Sequence, residues 1–186
     1  KVGGITLYRI EALKEFKNVR KGDIGGWIES EKNLSHSGEA WVSDNAQVFD
    51  NVLDFDNAWV SGNSRVSDNA RVFDNARVSG NSWVSGNSWV SGNSWIFGEA
   101  RIFDNARVSG NAQIIQGELK GVAKTIQLSK HPITIQPDGY VKIGCICLRL
   151  GEWRMKYKEI RKESGYTEEE IEEYGKALKF IEQIIK

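Results

Sequence analysis

The sequence predicts a mainly β fold: a β-solenoid with an N-terminal cap and a small C-terminal α+β domain. Three observations carry this expectation. Between Ala40 and Gly117 the chain repeats every six residues, in thirteen blocks that start at 40, 46, 52 and every sixth residue to 112, with nothing inserted or lost. Short fixed-period repeats of this kind signal stacked, solenoid architecture. Within a block, position one is small (Ala or Ser, once Val52) and position three is Val or Ile, once Asp54. Residues two apart on a strand share a face, so both point inward, while positions two and four point outward. Lastly, positions five and six are mostly Asp or Gly followed by Asn, residues that bend a chain at low cost. Each block is therefore a short strand plus a corner.

Aliphatic, two variable residues, Asn, small residue, variable residue (Val42 through Gln47 is one instance) resembles the hexapeptide-repeat family of left-handed β-helices. The resemblance covers Ala40 to Gly117. It implies a left-handed parallel β-helix, a triangular solenoid in which three blocks make one coil of about 18 residues. Thirteen blocks would then form a little over four coils, a prism roughly 20 Å tall at ~4.8 Å per coil. Such a fold hosts many activities, so function must be read from its surface.

Composition narrows the classes. The 186 residues, 40% hydrophobic, suit one continuous unit. Formal net charge is zero, from 25 basic and 25 acidic residues, which argues against a general nucleic-acid binder. No apolar run approaches the ~20 residues of a membrane span, and Lys1-Val2-Gly3-Gly4 shows no signal-peptide pattern. Cys145 and Cys147 share one short apolar segment and make no disulfide framework, which points to a reducing cytoplasm.

Taken in order, residues 1–39 form the cap, with a strand over 5–10, a short helical turn over 11–16, and a glycine-punctuated loop (Gly22, Gly25, Gly26) before Trp27. A solenoid end exposes apolar core and unpaired edges, so it needs a cover. Asn33-Leu34 fit the hexad register, which places the first coil near Ile28. Residues 40–117 are the solenoid, and 118–186 the C-terminal domain. There, strands are expected over 124–128, 133–136 and 140–147, followed by helices over about 152–163 and from Thr167 onward. Thr167 to Glu170 is a capping box. Ile171, Tyr174, Leu178, Ile181 and Ile185 make an apolar stripe, read either as a helical hairpin packed on the strands or as a seam between subunits.

The wider chain also resembles a group of phage- and prophage-encoded proteins without an assigned activity. The likeness rests on Arg9-Ile10-Glu11-Ala12-Leu13-Lys14, on Lys21 through Ser30 (Lys-Gly-Asp-Ile-Gly-Gly-Trp-Ile-Glu-Ser), and on Ile143-Gly144-Cys145 with Glu152-Trp153. It implies a phage or prophage source, hence a host-cell cytoplasmic location, and leaves function open.

Catalysis finds little support in the residues. Hexapeptide-repeat acyltransferases use a His near a loop that leaves the coil, and a zinc-binding branch uses three His. This chain has only His36 and His131, and its coils carry no such loop. No catalytic residue, cofactor or metal centre is predicted; Cys145, Cys147 and His131 are half a ligand set at most. Stacking at 18-residue intervals would put His36 above Asp54 in an inward column, as a polar core pair or a small buried site. The outward columns are more informative. They read Trp41, Trp59, Arg77, Trp95, Gln113; then Gln47, Arg65, Trp83, Arg101; then Leu53, Arg71, Trp89, Arg107. Trp between Arg permits cation–π contacts of ~0.5–1 kcal/mol, either to brace the solenoid or to form a contact surface. The expectation is a non-catalytic binding protein that self-associates as a trimer or dimer and engages a host protein or small ligand, with an anti-defence role. An acyl or sugar transferase with an inter-subunit site and a structural virion spacer are the rivals.

Overall fold

Position five of the repeat turns each corner. The computed structural model, which describes residues 4–54 and 56–184, holds Asp68 at φ 60° and Gly86 at φ 69°, and the other Asp and Gly corners follow suit up to Gly110. A left-handed conformation costs an L residue about 1–2 kcal/mol. The carboxylates compensate: Asp44 Oδ2 accepts from Gly62 N at 2.9 Å, Asp68 Oδ2 from Gly86 N at 2.9 Å, and Asp74 Oδ2 from Gly92 N at 2.8 Å, each one coil on. Asn at position six does other work. Its amide donates to the Asn 18 residues later, as in Asn51 to Asn69 (3.1 Å), Asn69 to Asn87 (3.2 Å) and Asn87 to Asn105 (3.4 Å). Such ladders run up all three corners, as amide side chains do along other stacked strands.

Positions two and three form the strands, two residues each, paired in parallel at 18-residue spacing. Trp83–Val84, for example, lies between Arg65–Val66 and Arg101–Ile102. The strands assemble into sheets of seven, five and four, the three faces of the solenoid. Position three and position one are shut away from solvent: Val48, Val66, Val84 and Ile102 have no exposed surface, nor do Ala70 and Ala76. Pairing extends beyond the strict repeat at both ends. Trp27–Ile28 pairs with Gln47–Val48, and Glu118–Leu119 with Arg101–Ile102.

The N-terminal cap differs from the sequence reading in two places. The strand is Tyr8–Glu11, antiparallel to Ile24–Ile28, and residues 12–19 form no helical turn. Instead Phe16 and Val19 close a tight turn with Lys17 at φ 46°. The reason is burial: Ala12 and Val19 pack on Trp41, with Phe16 and Trp59 against the same cluster. Gly25 is required there, since a Cβ would come within 2.6 Å of Trp41 Cζ2.

The C-terminal unit is an antiparallel meander, Lys124–Ile126, Ile133–Ile135, Tyr140–Ile143 and Ile146–Arg149, followed by helices α1 (Leu150–Glu163) and α2 (Glu168–Ile184). The segment expected as one strand over 140–147 is a hairpin. Gly144 at φ 60° and Cys145 form its two-residue turn, the left-handed geometry such turns favour. The capping box is present: Thr167 N donates to Glu170 Oε2 (2.8 Å) and Glu170 N to Thr167 Oγ1 (3.2 Å). Ile171, Tyr174, Leu178 and Ile181 are buried with Trp153, Ile133 and Ile143. That corrects the subunit-seam reading: the stripe is consumed inside the chain, where it covers the meander. Ile185 lies outside the described residues. No helix among the described residues is long and apolar enough to cross a membrane.

Candidate functional site

Exposure separates the outward tryptophans into two groups. Trp41 is only 6% exposed and Trp59 is half-buried, both beneath the N-terminal segment. Phe16 meets Trp41 edge-on at 5.7 Å, and Lys17 Nζ reaches Glu39 at 3.4 Å to pin the cover. Trp83, Trp89 and Trp95 remain 44%, 37% and 39% exposed. They occupy consecutive blocks, so each face of the solenoid presents one indole at the same level.

The three indoles are held differently. Trp89 is sandwiched, with the Arg71 and Arg107 guanidiniums 5.2 and 5.1 Å from the ring centroid and Phe73 edge-on at 5.9 Å. Trp83 has no such sandwich among the described residues. Its Nε1 donates to Ser67 Oγ at 3.4 Å, while Arg101 lies 4.0 Å from Glu118 and Arg65 is exposed. Trp95 donates from Nε1 to Ser79 Oγ at 3.0 Å and leans on Phe97 (centroids 4.6 Å, 34° between planes); Arg77 beneath it is exposed. Trp59 repeats the serine contact with Ser43 at 3.3 Å. The signal was present in the chain, as a Ser sixteen residues before a Trp at Ser43/Trp59, Ser67/Trp83 and Ser79/Trp95.

His36 does not occupy the inward column. It is exposed in a bend where Ser37 N donates to Ser35 Oγ at 3.2 Å. His36 instead lines a cavity of about 760 Å³ at the N-terminal mouth of the solenoid, beside Leu34, Phe16 and Trp41. The Asp54 side chain lies outside the described residues. The two cysteines are free, Cys145 exposed and Cys147 half-buried. Burial pushes the Cys147 thiol up to about 11, only partly countered by Lys142.

A second locus, which the sequence reading passed over, lies between the Trp95 face and the meander. Lys142, facing Cys147 across the hairpin, is 3% exposed. It donates to Gln113 Oε1 at 2.7 Å and to Gly144 O, and burial lowers its pKa. The nearby His131 imidazole is held below its ordinary value by partial desolvation, and by the positive charges of Arg161, Lys130 and Lys142; Glu170 opposes them.

Residues 70–86 and 100–116 match the family described as the YdcK beta solenoid repeat. Both stretches fall within the stacked coils. Among curated proteins compared with the chain, none matches.

Proposed function

We propose that this is a non-catalytic binding protein, a left-handed hexapeptide-repeat solenoid of phage or prophage origin, which associates with copies of itself through its tryptophan and arginine belt. One observation supports the reading above others. The chain covers Trp41 and Trp59 with its own N-terminal segment, yet leaves Trp83, Trp89 and Trp95 open at one level on all three faces. Indole and guanidinium are the groups that most often dominate interface energies. Arg71 and Arg107 hold Trp89 rigid before any partner arrives, which reduces the ordering cost of association. A host protein or small ligand would use the same belt.

Light scattering tests this. The intact chain is expected to run as a multiple of its 20.9 kDa mass, and the Trp83→Ser, Trp89→Ser double variant as a monomer with an unchanged circular dichroism spectrum. A wild-type monomer with nothing co-purifying would sink the reading.

A further inference from the structure

We propose that the cavity between the Trp95 face of the solenoid and the C-terminal meander binds a small anion carried on a flat, largely apolar ring. At about 470 Å³ it falls in the range of small-molecule sites, ~300–1,000 Å³. Its walls are of two kinds. One is aromatic, formed by Trp95 and Phe97, with Trp95 open enough to receive a ring. The other is rich in donors. Lys142 brings a buried ammonium, and Thr134 Oγ1 accepts from Gln113 N at 3.0 Å, which leaves its hydroxyl proton free to donate. Gln113 offers its amide nitrogen, because its oxygen is taken by Lys142.

Charge decides the ligand class. Lys142 forms no ion pair among the described residues, and neither does Arg161, which is 2% exposed and borders the same hairpin turn. Among the described residues Arg161 bonds to neutral oxygens, Tyr166 Oη at 2.9 Å and Ile143 O at 3.4 Å, and faces the uncharged Trp153 and Tyr166 rings at 4.7 and 4.8 Å. No Asp or Glu lines the cavity among the described residues. A buried cation with only neutral acceptors lacks the counter-charge that offsets its desolvation. An anion seated between Lys142 and the indole supplies that charge, and its ring fills the aromatic wall. Trp95 belongs to both the belt and this cavity, but neither Trp83 nor Trp89 lines the cavity, so the Trp83→Ser, Trp89→Ser variant tests the belt without touching this site.

Calorimetric titration of the full chain tests it, with 1-naphthoate and 1-naphthyl phosphate as the carboxylate and phosphate probes and 1-naphthol as the uncharged ring. At least one anion is expected to bind at millimolar concentration or below, with 1-naphthol weaker by about tenfold or more, the weight of a charge-assisted hydrogen bond. Lys142→Gln, which keeps a donor but removes the charge, should lose the same factor, as should Lys142→Met if it folds by circular dichroism. Which anion wins separates carboxylate from phosphate recognition. Failure of both anions to bind at millimolar concentration would overturn the proposal, as would affinity unchanged in Lys142→Gln.

Discussion

Asp68 combines an unfavourable backbone with a favourable side chain. Its φ of 60° is strained, and its carboxylate takes the Gly86 N–H at 2.9 Å. Asp68→Ala keeps the strain and loses the bond, so urea unfolding should show a loss of about 1–3 kcal/mol. Asp68→Gly loses the bond but relaxes the backbone, and should stay within about 1 kcal/mol of wild type. Equal losses for the two would mean that strain plays no part. The sequence marked both positions five and six as bends without separating their jobs. The division appears only across coils, because the Asn ladder and the carboxylate bond each join residues 18 apart. Lys142 was hidden for a similar reason: nothing in Tyr140 to Cys147 shows that a lysine will be sealed against Gln113.

α2 was legible in spacing and cap, while its packing partner was not, because an apolar stripe looks alike whether it meets its own chain or another. Tyr174 is the structural pivot of that packing. Its hydroxyl accepts from His131 N and donates to His131 O, both at 2.7 Å. Burial pushes its pKa up to about 12, despite a lowering contribution from the His131 bond. The neutral phenol is thus favoured by folding. That contribution is present in full below the unfolded value of about 10 and is lost as pH rises through about 12. Tyr174→Phe should cost about 1–3 kcal/mol at neutral pH, by leaving the His131 amide unsatisfied. Its melting temperature should then fall less steeply than wild type between pH 10 and 12 (thresholds of about that size). Parallel curves would assign the alkaline loss to other groups, Cys147 foremost. The Gly144 turn, missed in the sequence, is what folds Lys142 and Cys147 onto neighbouring strands. A single glycine in an apolar run reads as strand until its φ is known.

For the whole molecule, the six-residue period was the part most fully written in the chain, because every coil repeats the same inward pair and the same corner. Stability in such an array is close to a sum over neighbouring repeats. Deleting Ser88 to Asn93, one whole block, should leave a cooperatively unfolding β protein whose later coils re-pair one face round. Deleting only Ser91 to Asn93 sets a strand against a strand with no corner, and should abolish cooperative melting by circular dichroism. Similar melts for both would mean that the block is not the folding unit. What could not be read from the period was the treatment of its ends, where Ala12 and Val19 fold back over Trp41.

That fold-back has a consequence for growth. Stacked parallel rungs are a template for copies to add head to tail without limit, which is how fibres arise. Here the chain doubles back before its first rung, so the outermost strand of the seven-stranded sheet runs the opposite way and carries exposed Arg9 and Glu11. A newcomer at that edge meets reversed polarity and charge, which disfavours the addition of a further parallel rung on that face.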